Sequence, residues 1–409
     1  MKALVLCGGL PQIALVKELK SRGIYVLVAD MNEKVAAYDY ADEFYCLSVL
    51  DVDAIRNLAS EQKVDFLISV CADQVLQVVA QVSEELELPC YIDFETAVNV
   101  SKKSYMKEIF IENDVPTARF VIMNEFCAAR IAHLEYPLIV KPVDSYSSRG
   151  VRKVNCETEL KKALEQAVEI SRTKTAIVEE FVEGDEITVD VYVENGKAHI
   201  LCMSNLYKIG EDGKFVINRS RIPANISNDI ATQIEDAAQK IAQAFKLYDT
   251  PMLIQLISNG EKIAVVEFCA RTGGQIKFLM IKKFAGFDVI KAVVDLTLGI
   301  KPKVGKISGS NKITINEFVY CRQGELSEVL GFEDLFNEKI ITEYLVFKKP
   351  GFKFKEICSS SDRLAYFSIE ADSIEDVKRL HKIANERICA LSICGEDLIR
   401  HDLIDSNNI

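Results

Sequence analysis

Fully apolar runs separated by helical spacing constrain the start of this chain more than any other feature. Ala3–Leu6 is the first run, Tyr25–Ala29 (YVLVA) the second, ending at Asp30, and Phe66–Val70 (FLISV) a later one. Ile13–Lys20, between the first two, has helical spacing. Strand–helix–strand alternation of this kind predicts a parallel sheet with helices on both faces over residues 1–95.

At 409 residues the chain is too long for one typical domain. Beyond residue 95 a helix is expected over Ser101–Asp114, with Ser101 as its cap and Met106, Ile109 and Phe110 as its apolar stripe. Lys103 and Lys107 lie four apart and share a face of it. A strand-rich region follows. Leu138–Val140 leads into the loop KPVDSYSSRG, Ile187, Val189, Val191 and Val193 alternate with polar positions, and Asn195-Gly196 closes a hairpin. Met252–Ser258 and Lys262–Cys269 form a second hairpin, with Asn259-Gly260 at its tip. KPKVGK (301–306) reads as a linker to a smaller α+β unit. The expected domains are thus 1–95, 96–305 (lobes about 116–180 and 181–300) and 306–409.

The formal net charge of −12 gives no broad electrostatic footprint for nucleic acid or an anionic membrane surface, although one basic cleft for a small anion is compatible with it. The 12 cysteines are scattered singly, with no CxxC pair, and read as free thiols. No apolar run reaches spanning length, and MKALVLCGGL reads as a first strand rather than a leader, so the cytoplasm is the expected compartment.

Several chemistries are poorly supported. GxxxxGK[ST] is absent, and Cys7-Gly8-Gly9-Leu10-Pro11 is not GxGxxG, which leaves Asp30 a weak candidate for a ribose contact. The four histidines are dispersed without metal spacing. A series of features in one order is stronger: the Lys103/Lys107 helix, YPLIVKP with its loop, VEEFVEGDE (178–186), and Gln255 on one hairpin strand with VEFCARTGG (266–274) on the other.

In this order and at these spacings the features resemble the ATP-grasp superfamily, and within it the carboxylate–amine ligases, over roughly residues 1–300. Carbamoyl-phosphate synthase halves and phosphoribosylglycinamide synthetase are similar in plan. The resemblance implies a mixed α/β and α+β fold: a parallel-sheet N-terminal domain, a two-lobe ATP-clamping core and a small C-terminal domain. It implies ATP and Mg²⁺ (with Mn²⁺ as the alternative ion), small-molecule carboxylate and amine substrates, and admits a homodimer. A triphosphate needs fixed cations, and the resemblance supplies Lys103, with Lys107 competing, and Lys141. Ser145, Ser147 and Ser148 would form a phosphate flap hinged at Gly150. Glu179, Glu180, Phe181 and Val182 would line the adenine, read by the Glu180 carbonyl and the Val182 amide, and Glu186 would hold the ribose or else face solvent.

Glu267 and Gln255 take the metal positions and Arg271 the place of an arginine that steadies a phosphorylated intermediate. The family's third ligand, usually Asn, is Cys269 here, and a thiol suits Mg²⁺ badly. One of Arg219 and Arg221 is expected near phosphate or a substrate carboxylate, with a solvated surface position as the alternative. Strand parity adds a condition. A strict two-residue Asn259-Gly260 turn would put Gln255 and Glu267 on opposite faces; a three-residue loop with Gly260 as a bulge restores a common face. The metal pair therefore requires an odd loop or a bulge.

Overall fold

A computed structural model describes residues 1–405 apart from 145–149, 210–215, 275, 308 and 311. The apolar runs at the start of the chain form a parallel four-stranded sheet, in the order Glu43–Cys46, Tyr25–Asp30, Lys2–Leu6, Phe66–Ile68. Three of its strands, Tyr25–Asp30, Lys2–Leu6 and Phe66–Ile68, are largely buried on both faces, which is why they read as unbroken apolar runs rather than alternating ones; Glu43–Cys46 is a partly exposed edge. Helix Val289–Thr297, far along the chain, returns to this sheet and packs Ile290, Val293 and Val294 into its core.

Helix Lys103–Glu112 starts two residues later than expected. Ser101 does not cap it; its hydroxyl donates instead to the Ala97 carbonyl of the preceding helix (2.7 Å). A small antiparallel sheet follows, ordered Phe120–Met123, Ala176–Glu180, Leu138–Pro142, Arg152–Val154, with helix Glu157–Ile170 over it.

The largest element is an antiparallel eight-stranded sheet, ordered Ile263–Cys269, Thr250–Ser258, Asp185–Glu194, Lys197–Lys208, Ile217–Ile222, Ile313–Val319, Ala365–Ala371, Glu343–Val346. It runs without a break across residue 305. Asn195 and Gly196 both take positive φ (50° and 78°), the two-residue turn that matches strand twist. Period-two alternation then decides function. Ile187, Val189, Val191 and Val193 pack with Ile234, Ala238 and Ile241 of helix Asn228–Ala244, while Glu186, Thr188 and Asp190 take the opposite face.

All twelve cysteines are free. Cys46, Cys156, Cys358 and Cys394 are exposed, whereas burial pushes the Cys7, Cys71 and Cys202 thiols up, Cys71 to about 11. Native protein treated with a thiol-specific chromogenic reagent at pH 7.5 is therefore expected to show a fast phase carried by the four exposed thiols, with the buried ones reacting only after denaturation. A fast phase that includes Cys202 or Cys71 would contradict the packing.

Candidate active site

A cavity of about 870 Å³ is lined by residues from all three of the sheets described above. The N-terminal sheet contributes residues just beyond its strand ends: Cys7 and Gly9 after the first strand, Asp30 closing the second, Cys71 and Asp73 after the fourth. Crevices at the carboxyl ends of parallel strands are where open α/β sheets bind ligands. Asp30 does not reach across this cavity, since its Oδ2 accepts from the Gly8 amide (2.9 Å) and so fixes the glycine turn.

Lys103, Lys107 and Lys141 line the cavity and two glutamates meet them. Lys103 Nζ lies 3.0 Å from Glu267 Oε2. One turn on, Lys107 is fully buried; its Nζ lies 2.9 Å from Glu179 Oε2 and donates to Thr117 Oγ1 (2.5 Å). Lys141 Nζ donates to Glu179 Oε1 (2.6 Å). The two helix lysines thus separate into different partnerships. Glu179, expected beside a purine base, lines the cavity, is 6% exposed and is clamped between two ammonium groups. Burial by itself raises a carboxyl pKa, but Lys107 and Lys141 reverse that and hold Glu179 at about 2. Burial, reinforced by the Lys141 charge and opposed by Glu179, lowers the pKa of Lys107.

The hairpin meets the parity condition in an unexpected way. Residues 259–262 form a four-residue loop between the partners Ser258 and Ile263, so the loop is even and Gly260 is not the bulge. The register instead shifts between Gln255 and Leu256: Leu256 pairs with Val265 and Gln255 with Glu267, leaving Val266 as the extra residue. This bulge sits on an edge strand and its backbone is held from outside. Val265 N donates to the Pro116 carbonyl (2.7 Å) and Thr117 Oγ1 donates to the Val265 carbonyl (2.8 Å). Gln255 and Glu267 are thereby direct neighbours on the cavity wall.

This oxygen pair fits a hard cation that takes its remaining ligands from phosphate and water. Cys269 does not join it, because its thiol engages Asp73; burial and the Asp73 charge raise its pKa well above the ordinary thiol value. Among the described residues no group of three or more His, Cys, Asp or Glu side chains is placed to hold an ion alone.

Arg271 lines the cavity and grips Asp73 with two parallel hydrogen bonds (2.7 and 2.5 Å). Desolvation opposes the guanidinium charge, but Asp73 keeps its pKa well above the usual value. Asp73 opens helix Asp73–Glu85, and nothing in its local sequence marks it. Lys277 is a second unforeseen residue, with its ammonium between Thr188 Oγ1 (2.8 Å) and Ser204 Oγ (2.7 Å). Arg363 also lines the cavity; its guanidinium lies 3.7 Å from the Phe318 ring centroid and its Nε donates to Tyr320 Oη (2.9 Å). The signal that could have found Lys277 was its place just after Gly273-Gly274; Arg363 had none.

The VEEFVEGDE segment passes along the cavity rim. Glu180 turns its carboxylate outward to Arg119 (Nε to Oε2, 2.8 Å) and the Glu135 amide. Its own amide donates to the Arg119 carbonyl and that of Phe181 to the Pro137 carbonyl. Phe181 carries Lys153 over its ring (3.6 Å). Glu186 forms an ion pair with Lys208, and both line the cavity with Val182. Gly150 has φ +78°, and a Cβ there would press on Ile170 and Pro142. Ser145, Ser147 and Ser148 lie outside the described residues. Arg219, one of the pair expected near an anion, is buried elsewhere: its Nε donates to Glu317 (2.6 Å), which also meets His381. Neither it nor Arg221 lines the cavity.

Comparison with known proteins bears on the same residues. Residues 134–278 match the ATP-grasp domain family. The chain carries an ATP-grasp domain. Residues 4–90, which hold the parallel sheet, match the PylC-like N-terminal domain. The chain is 24% identical over 341 residues to the multifunctional protein pyr-3 of Neurospora crassa, covering 78% of this chain and 18% of that protein. It is 27% identical over 254 residues to the formate-dependent phosphoribosylglycinamide formyltransferase of Actinobacillus pleuropneumoniae, covering 59% of this chain and 62% of that enzyme. The chain thus spans less than a fifth of the fungal protein. In fold it is similar to the L-amino acid ligase of Bacillus licheniformis (TM-score 0.79, 18% identity, 96% of this chain and 98% of that one). It is also similar to the phosphoribosylglycinamide synthetase of Anaerococcus prevotii (TM-score 0.76, 19% identity, 96% and 99%). Among the described residues no helix is long and apolar enough to cross a membrane.

Proposed function

We propose that the ATP-grasp chain is an ADP-forming ligase that joins a carboxylate to an amine. The observation that carries this reading is the convergence, in one cavity, of Lys103, Lys141 and Arg271 with the Gln255–Glu267 pair made by the Val266 bulge. A carboxylate oxygen attacks the γ-phosphorus and its bond to ADP breaks, giving an acyl phosphate. The amine nitrogen then attacks the acyl carbon, the carbon–oxygen bond to phosphate breaks, and the nitrogen loses a proton. No protein nucleophile is required, so catalysis is placement and charge stabilisation.

Lys103 and Lys141 supply cations to the phosphates, exchanging their present glutamate partners for phosphoryl oxygens. Arg271, held in orientation by its two hydrogen bonds to Asp73, donates to the phosphorylated intermediate. Glu267 and Gln255 would hold Mg²⁺, which when bound supplies neutralisation of the phosphate charge. An extended chain points the peptide groups of residues i and i+2 the same way, so the Glu180 carbonyl and Val182 amide suit the edge of an adenine. In this reading Glu186, paired with Lys208 on the cavity wall, takes the ribose hydroxyls.

The relatives divide between formyl transfer, phosphoribosylglycinamide synthesis and amino acid ligation by their names, and the shared step in this reading is activation of the acid. An acid labelled with oxygen-18 in its carboxylate is expected to deliver one label to the released phosphate. Unlabelled phosphate formed together with coupled product would overturn the acyl phosphate route.

A further inference from the structure

The cavity holds a cation that the phosphoryl chemistry above leaves unused. One row of side chains crosses four strands on the cavity face, since Glu267, Gln255, Thr188 and Ser204 are cross-strand partners in turn. Lys277, the first residue of helix Lys277–Ala285, lays its ammonium over the second half of that row, donating to Thr188 and Ser204. Both acceptors are neutral hydroxyls. The charge is balanced from behind by Asp190, whose Oδ2 lies 3.4 Å away. Asp190 is 1% exposed and takes no hydrogen bond of good geometry at either oxygen among the described residues.

An ammonium has three donors, so two satisfied by hydroxyls leave one between Asp190 and the cavity. Gly273 permits the arrangement: a Cβ there would stand 2.8 Å from the Lys277 stem and 3.0 Å from Asp190 Oδ1.

The surroundings narrow the ligand. Thr188 is one strand over from Gln255, about 4.8 Å, a separation that a carboxylate on Lys277 bridges toward a phosphoryl group at the Gln255–Glu267 end. Apolar groups flank the ammonium. Ile276 precedes it, Met280 is one helical turn on, and the pairing of Asn205 with Arg221 sets Ile222 beside Ser204; all three line the cavity.

Resting on the ligase reading, we propose that Lys277 binds the carboxylate of the acid substrate, and that this acid carries an apolar carbon frame set against Ile222, Ile276 and Met280. Asp190 is a positioning residue that holds the lysine charged and in place. Bicarbonate, which has the charge without the frame, is a poor ligand for such a site.

Equilibrium titration of the full chain loaded with MgADP tests this with three probes: isovalerate, its neutral isostere isovaleramide, and bicarbonate. The wild-type chain is expected to bind isovalerate at least ten-fold more tightly than either of the others. Lys277→Met is expected to erase the isovalerate–isovaleramide difference with the MgADP affinity unchanged, and Lys277→Arg to keep part of it. Equal binding of isovalerate and isovaleramide by the wild-type chain, binding of neither, or a Lys277→Met chain that keeps the preference would each overturn the proposal. The wild-type comparison decides even if Lys277→Met does not fold. A chain with this preference that releases no ADP fails the ligase reading alone. A chain that releases ADP without the preference fails this inference alone.

Discussion

Glu179→Gln is expected to destabilise the folded chain by about 3–5 kcal/mol, the cost of breaking a buried ion pair from one side. Lys107 is fully buried and its charge is balanced by Glu179, which also holds Lys141. A glutamine keeps the shape and removes the charge, so two ammonium groups are left facing each other. The urea midpoint of the variant falls accordingly. Lys107→Met combined with Glu179→Gln is expected to recover part of the loss, because it removes the stranded charge. The acid limb carries a second signature. Folding depresses the Glu179 pKa from 4.5 to about 2, so its ionisation contributes stability that is complete above about pH 4.5 and is lost as pH falls through about 2. Glu179→Gln flattens the wild-type stability profile in that window. An unchanged urea midpoint would mean that the two lysines are not held by this carboxylate.

Glu267→Gln is expected to leave the fold intact and to lower turnover by about 10²–10³-fold, the scale of losing one charge-stabilising group at a phosphoryl or acyl transition state. The side chain is 26% exposed and its ion partner Lys103 is itself near the surface of the cavity at 13%, so the change in stability stays within about 1 kcal/mol. The amide keeps a neutral oxygen beside Gln255 but loses the charge that a hard cation selects. Activity of the variant therefore requires a higher Mg²⁺ concentration for half-saturation. Turnover and Mg²⁺ dependence both equal to wild type would remove Glu267 from the site.

The legible parts of this protein are those whose physics is local. Unbroken apolar runs in the first 95 residues specify strands buried on both faces, and Asn195-Gly196 supplies the positive φ values its turn requires. The hairpin was legible in part. Strand parity required an extra residue for Gln255 and Glu267 to meet, but the bulge falls at Val266 because Pro116 and Thr117, some 150 residues earlier (148 for Thr117), satisfy the backbone there. Charge partnerships were not legible. Asp73 meets Arg271 across 198 residues and Arg219 meets Glu317 across 98, so the local sequence of neither arginine marks its carboxylate partner. For Glu179 the strand position was legible and its two lysine partners were not.

ADP release across paired pools of acids and amines is the measurement that tests the central claim most directly. The account predicts ADP and phosphate in equal amounts when a matched acid and amine are present with MgATP, a coupled product whose mass is their sum less one water, and loss of all three signals in Lys141→Met. A chain that binds MgATP yet raises ADP formation with no acid–amine pair would contradict it.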